Sequence, residues 1–271
     1  MTICARRALK EVFVLVFGLS LLGGCGEKKI ERVEWPVMGT IAAVQTRGAT
    51  PEETAEVVRT AKDEFARVET LLNAHDPNSE LSRLAPLDRM EILGRCDKSV
   101  RPCYEEAFAW CDRTKGAFNP RWRGPDTLDL GAIAKGFAVD LAAERLKARK
   151  LSGDILLDLG GNLKAVKGAW RVGIALSDKS FTLEEHFACA TSGEYFRGKH
   201  IYDGRTGQAV SNGVASVTVV STEAMAADLA STVQFIFGPK EGPNYLDKWR
   251  TDSVHWEMLD GSHVDWKGTI W

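Results

Sequence analysis

Asp228 and Thr232 stand four residues apart in a stretch, about 223–237, whose apolar pattern predicts a helix. A carboxylate and a hydroxyl therefore share one helical face. Together they could hold Mg²⁺, a hard ion that takes oxygen ligands and usually keeps water or phosphate oxygens as well. The spacing alone carries little weight, because an aspartate and a threonine so placed are usually a solvated face. A second kind of chemistry lies in Asp129-Leu-Gly-Ala-Ile-Ala-Lys-Gly-Phe-Ala-Val-Asp140. There a Gly131 turn leads into a helix start, where backbone N–H groups carry partial positive charge and stabilise an anion. Lys135 adds a full charge in the first turn, so a phosphate is the expected guest. The third candidate is His200. A histidine titrates near 6.5 and suits acid–base work at neutrality, although a lone histidine in a strand is more often structural.

The elements that must carry these residues can be read from periodicity and punctuation. Pro51 to Leu72 predicts a helix, with Val58, Ala61, Phe65, Val68 and Leu72 along one stripe. Asp76-Pro77-Asn78 marks a turn, followed by a short helical or looped piece at Ser79-Glu80-Leu81. Helices are expected at Cys103–Arg113 and Ile133–Lys150, the latter stopped by Gly153. Strands are expected near Ile41–Thr46, Ile155–Leu159, Trp170–Leu176, Phe187–Ala190 and Val214–Val220. Adjacent strands joined by short turns indicate antiparallel pairing, so the class is α+β. No internal repeat is visible. Thr191-Ser192-Gly193 reads as a tight turn rather than a nucleophile elbow, since no Gly-x-Ser-x-Gly context surrounds it.

The first residues read as an address. Arg6, Arg7 and Lys10 precede an apolar run from Val12 to Leu22, and Leu22-Gly-Gly-Cys25 follows. The run falls short of the about 20 residues of a permanent span, so residues 1–24 read as a lipoprotein signal peptide, with lipidated Cys25 as the mature N-terminus. Residues 25–34, polar and charged, form a tether, and 35–271 form the body. The expected location is the periplasmic face of the inner membrane. The net charge of −2 and the absence of a basic stripe argue against nucleic acid as a partner. At 44% hydrophobic and 27% charged residues, the composition is that of a globular protein. Beyond Cys25 the cysteines are Cys96, Cys103, Cys111 and Cys189. An exported chain can form disulfides, and Cys96 with Cys103 across Pro102 is the preferred pair, with buried free thiols as the alternative. Cys103 and Cys111, about 12 Å apart along a helix, cannot bridge each other.

Six blocks in order, from Met38-Gly-Thr40 and the Asp129 segment to Asp158-Leu-Gly-Gly-Asn162, Thr191-Ser-Gly193, His200-Ile-Tyr-Asp-Gly-Arg-Thr-Gly207 and Asp228-Leu-Ala-Ser-Thr232, resemble the FAD:protein FMN transferase (ApbE) family. The resemblance covers roughly Trp35 to Gly238. It implies antiparallel sheets packed against helices in T-fold-like halves. It also implies Mg²⁺ held by Asp228, Thr232 and the carbonyl of Ala132, with Ser231 beside them at the ligand. FAD would be contacted by Met38, by the His75 position, by Ala117-Phe118-Asn119, and by Asp129, Lys135 and Tyr202. The implied reaction passes FMN from FAD to a threonine or serine hydroxyl of an acceptor flavoprotein, with release of AMP. That acceptor would be an electron-transfer component of the same membrane. His200 is the first candidate base and Asp203 the second. Hydrolysis of FAD to FMN and AMP, or non-catalytic flavin binding by a lipoprotein, are the alternatives.

The chain departs from the family pattern in places. Only nine residues join Asn119 to Asp129, where the family has a longer insertion, so Trp122 and Arg123 are candidates to replace part of the flavin wall. His75 stands where a tyrosine is usual, which leaves the balance between holding and hydrolysing FAD open. Asn119 replaces an aspartate, and Tyr202 a usually aliphatic residue. Gly204 replaces the proline after Asp203, which should loosen that turn.

Overall fold

The computed structural model describes residues 29–194, 198–246 and 250–267. Residues 1–24, read above as a signal peptide, and Cys25 lie outside them. Strands β1 (Ile30–Val37) and β2 (Thr40–Arg47) open the fold. Helices α1 (Pro51–Leu72), α2 (Glu80–Leu84), α3 (Arg89–Arg95), α4 (Arg101–Arg113) and α5 (Ala134–Lys147) follow, then β3 (Asp154–Leu159) and β4 (Asn162–Lys167). A small hairpin, β5 (Trp170–Gly173) and β6 (Ser180–Leu183), leads to β7 (Ala188–Gly193), the short pair β8 (Tyr202–Asp203) and β9 (Gln208–Ala209), and β10 (Val214–Ser221). Helix α6 (Ala224–Glu241) then crosses to β11 (Thr251–Met258) and β12 (His263–Lys267).

Eight strands form one antiparallel sheet in the order β1-β2-β3-β4-β7-β10-β11-β12. Each half reads two strands, a helical crossover, two strands, with the second strand pairing the third. The halves meet where Asn162, Leu163 and Lys164 of β4 pair with Ala190, Cys189 and Ala188 of β7. This is the α+β class and the two-half plan expected. It also reveals a repeat of topology that no residue pattern betrays.

Helix α1 forms as its signals dictate: Thr50 and Glu53 make a reciprocal capping box, and Pro51 occupies the first turn. It buries Val57, Ala61, Phe65, Val68 and Leu72; Val58, placed on the stripe by the sequence, is only partly buried. Helix α5 buries residues nearly all round, including Ala138, Val139, Ala142 and Ala143. Its small side chains let it lie between α1, α6 and the sheet. On the opposite sheet face a second cluster, with Leu156, Trp170, Leu183 and Cys189, is covered by the β5–β6 hairpin. Among the described residues no helix is long and apolar enough to cross a membrane.

Several expectations need correction. Strand β1 begins at Ile30, so residues 30–34 are sheet and not tether. Helix α5 ends at Lys147 and not Lys150. The strand expected over Trp170–Leu176 stops at Gly173, because Leu176 turns with φ of 65°. Thr191–Gly193 is the end of β7, paired with Ser216–Thr218, and not a turn. His200 lies in no strand. The four described cysteines are free, Cys96 and Cys103 each buried on its own, so the expected disulfide is absent.

Candidate functional site

Because the strands alternate in direction, the Met38–Gly39 turn, the Gly160–Gly161 turn and the Gly193 end of β7 lie at one end of the sheet. Both turns join strands through two residues of positive φ, 51° and 65° in the first, 61° and 89° in the second. That is the hairpin turn whose twist suits paired strands, normally filled by glycine or asparagine. Met38 tolerates it with its N–H on the Glu69 carboxylate at 2.8 Å, a backbone cost retained where strain commonly accompanies a binding site. A Cβ on Gly160 would meet the Thr40 side chain at 2.5 Å, so the two turns are packed edge to edge.

Asp228 projects from α6 against this end. Its Oδ2 accepts the Gly136 N–H at 3.0 Å and lies 3.8 Å from Lys135 Nζ. The protein's own carboxylate thus takes one N–H at the start of α5, beside Lys135. Burial pushes the Asp228 carboxyl pKa up, while Lys135, the Gly136 N–H and Asn162 pull it back. Gly136 is the donor that helical geometry would give to the Ala132 carbonyl; here that N–H goes to Asp228. One turn along α6, Thr232 Oγ1 and Ser231 Oγ both reach back to the Asp228 carbonyl, at 3.4 and 2.8 Å. Ser192 of β7 closes the group, 2.8 Å from Ser231 Oγ and 3.1 Å from Thr232 Oγ1.

Asp129 and Lys135 join the group through one loop. Asp129 Oδ1 accepts the Gly131 N–H at 2.9 Å, and Lys135 Nζ donates to the Gly131 carbonyl at 2.5 Å. Asp129 also receives Trp122 Nε1 at 3.3 Å and pairs with Arg123 at 3.5 Å. Trp122 stacks on Tyr202 with ring centroids 4.2 Å apart, and Arg123 lies over the Trp122 ring. The short Asn119–Asp129 connection therefore builds an aromatic wall of its own.

Ala117 and Phe118 are core residues by side chain, so only their backbone can face a ligand. Asn119 Oδ1 is taken by the Arg121 N–H at 2.8 Å. Gly204 does not loosen its turn. Its N–H donates to the Ala117 carbonyl at 2.9 Å, which proline could not do, and a Cβ there would meet Asn119 and Gly116 at 2.5 Å. Asp203 is gripped by Arg205 through both carboxylate oxygens, which holds its pKa below the ordinary carboxylate range. Asp203, the second-choice base, is thus engaged as the anchor of its own turn. His75 is exposed, its N–H on Asn73 Oδ1 at 2.9 Å, and His200 is exposed with Nδ1 2.7 Å from the Gly198 carbonyl. Neither ring hydrogen-bonds to the Asp228 group among the described residues.

The donor set suits a hard cation. It offers one buried carboxylate, hydroxyls and a backbone carbonyl. Beside them Asn162 Oδ1, an acceptor, is buried without a partner. Among the described residues no cluster of three or more His, Cys, Asp or Glu side chains could cage a metal. A site with a single carboxylate is one that fits Mg²⁺ when phosphate oxygens complete its shell. Sequence reasoning took Thr191-Ser192-Gly193 only as a tight turn beside the ligand and did not single out Asn162 or Gly136, although all three residues lie in blocks it had marked. Their signal was position beside Asp228, which only the fold supplies.

The description "ApbE family" belongs to the family model that matches residues 122–255. An FAD:protein FMN transferase of Klebsiella pneumoniae is 35% identical over 130 residues, 42% of this chain and 40% of that protein. Against that relative, and the Vibrio cholerae one at 32% identity, the matched stretch thus spans well under half the relative's length. The FAD:protein FMN transferase of Treponema pallidum is 27% identical, over 84% of this chain and 85% of its own. Among solved structures, the flavin transferase ApbE from Vibrio cholerae superposes with a TM-score of 0.72 at 21% identity, covering 89% of this chain and 98% of that one. The Pseudomonas stutzeri flavinyl transferase ApbE, apo form, gives 0.71 at 19% identity over 91% and 97%. The matched segment holds Asp129, Lys135, Ser192 and Asp228, the fold is that of the ApbE structures, and together these likenesses support the ApbE family for this chain.

Proposed function

We propose that this protein is a Mg²⁺-dependent FAD:protein FMN transferase. The observation that carries the reading is that Asp228 meets Lys135 and the Gly136 N–H at the start of α5, while the Ser231 and Thr232 hydroxyls, joined by that of Ser192, gather at its own backbone carbonyl. Asp228, Thr232 and the Ala132 carbonyl would hold Mg²⁺, which supplies positive charge against the phosphate oxygens of FAD. Lys135 adds a second positive charge at that place. The Trp122–Tyr202 stack and Met38 offer apolar surface to the flavin nucleotide. The oxygen of an acceptor threonine or serine bonds to the FMN-side phosphorus as the bond to the bridging oxygen breaks. AMP leaves with that oxygen, and catalysis is chiefly positioning and charge stabilisation.

His200 is assigned as base for the hydroxyl proton. Its Nδ1 faces a carbonyl oxygen, which can only accept, so Nδ1 carries hydrogen and the neutral ring keeps its Nε2 lone pair free. His200→Ala should lower kcat by about 10²-fold while FAD affinity stays within about twofold. Stopped-flow transfer assays with a fluorescence titration check this, and an unchanged kcat would remove His200 from the mechanism.

The whole reaction is tested by mixing the protein with FAD, Mg²⁺ and a purified FMN-accepting domain, then reading flavin fluorescence on a denaturing gel. Fluorescence that stays with the acceptor band supports transfer. FMN and AMP accumulating without acceptor would mean hydrolysis, and intact FAD retained throughout would mean a binding protein. The signal-like start supports a lipid-anchored form facing the periplasm, where the acceptor is an electron-transfer protein of the same membrane. Mass spectrometry of membrane fractions should find Cys25 acylated at a new N-terminus; soluble material bearing an unmodified Cys25 would refute the anchor.

A further inference from the structure

Asp140 closes the segment that the sequence singled out, yet the reaction does not use it. It lies one helical turn beyond Gly136 on α5. Its Oδ1 accepts the Ala224 N–H at 3.0 Å and its Oδ2 the Met225 N–H at 2.8 Å. Helix α6 has no side-chain cap of its own, since its N-cap residue Glu223 makes none. Free first-turn N–H groups are costly when partly buried and favour an anion, and Asp140 meets both needs from another helix. Lys164, buried on the central strand β4, donates to Asp140 Oδ1 at 2.9 Å and to the Thr222 carbonyl at 2.7 Å. One ion pair thus ties α5, the sheet and the start of α6 together.

The register is what matters. Gly136 faces Asp228, and Asp140 faces Ala224, so equal steps of four residues on antiparallel helices meet one another. At Gly136 the helices touch by backbone: a Cβ would lie 2.2 Å from the Ala224 carbonyl oxygen. A slide or roll of α6 by a fraction of a turn would carry the Asp228 carboxylate off the Gly136 N–H.

We propose that Asp140, held by Lys164, is a positioning residue that fixes α6 against α5 and so aims Asp228 at the metal position. The inference rests on Asp228 being a metal ligand. Asp140→Asn keeps the shape but has one acceptor oxygen for two N–H groups, and it leaves Lys164 without a counter-ion. Lys164→Met keeps both N–H bonds and removes only the charge that holds the carboxylate.

The test uses the full chain in detergent with Mn²⁺ as probe, free Mn²⁺ being read by electron paramagnetic resonance. FAD affinity is titrated separately in EDTA. Thr50→Ala, which removes the α1 capping box on another part of the fold, controls for general loss of stability. Asp140→Asn should weaken Mn²⁺ binding by about tenfold, the usual size of an outer-shell effect, and Lys164→Met by less. Metal-free FAD affinity should stay put, and Thr50→Ala should leave Mn²⁺ binding unchanged. Wild-type Mn²⁺ affinity in both Asp140→Asn and Lys164→Met overturns the positioning role alone. Equal loss in Thr50→Ala overturns it too, as a mere stability effect. A wild-type protein that binds no Mn²⁺ overturns the metal reading and this inference together.

Discussion

Asp228→Asn should fold as the wild type does and lose Mg²⁺-stimulated FAD turnover by about 10²–10³-fold, since a metal's charge at a phosphoryl group is worth several kcal/mol and each 1.36 kcal/mol is tenfold. The amide oxygen can still accept the Gly136 N–H, so the contact between α5 and α6 survives while the charge goes. Stability should change little or rise, because a buried carboxylate whose ionised form is opposed by burial is costly to keep. Asp228→Ala goes further: it leaves the Gly136 N–H without its acceptor and should unfold at lower urea. Circular dichroism, urea titration and a Mg²⁺ activation curve separate the two effects. Normal Mg²⁺ stimulation in the asparagine variant would end the assignment of Asp228 as a ligand.

Gly136→Ala should be among the most destabilising single-methyl changes in the chain. In an exposed helix the same change stabilises by up to about 1 kcal/mol, because glycine is the poorer helix former. Here the added carbon would fall 2.2 Å from the Ala224 carbonyl oxygen and 2.8 Å from the Met225 Cα. Those are backbone atoms of α6 and cannot rotate away, so the helices must part, at a cost of about 3 kcal/mol or more. Parting them also lengthens the Gly136–Asp228 bond, so activity should fall in the variant that still folds. Gly94→Ala, on α3 where a Cβ would meet nothing within 4 Å, is the matched control and should stabilise. Urea midpoints moving in the same direction for both would contradict the close approach.

The helices were legible where their signals are local. Pro51–Leu72 follows from a capping box and a stripe, and the helix carrying Asp228 follows from a long apolar run stopped at Gly238, whose φ is 65°. Strands β4, β11 and β12 were not, because their alternation is hidden. Lys164 points into the protein as a buried ion pair, and His255 and Glu257 of β11 are buried against each other. Charged residues read as solvent-facing until the fold supplies a partner, as Asp140 of α5 does for Lys164. The site shows the same division. Asp129, Lys135, Asp228, Ser231 and Thr232, singled out because they fall within short blocks, are brought together by the fold. Their neighbours Ser192 and Asn162 were supplied by the sheet, and Gly136 by the packing of α5 on α6. The pairing of Asp203, the second-choice base, with Arg205 two residues on was likewise not foreseen.

Strand β1 begins at Ile30 and ends at the Met38 turn, so it runs the full height from the chain's entry into the sheet to the candidate site. Eight residues at about 3.3 Å each make that height about 25 Å. In the lipid-anchored form proposed above, Cys25 to Ile30 can add no more than about 18 Å of extended chain. Such an anchor would be fastened at the end of the sheet opposite the candidate site, by at most that length of chain. In that form an acceptor hydroxyl at lipid level would lie out of reach of the candidate site, and one carried on a domain standing a few tens of ångströms above the bilayer would lie within it. Lengthening the segment between Cys25 and Ile30 would enlarge the shell of acceptors that can be served, without touching a single catalytic atom.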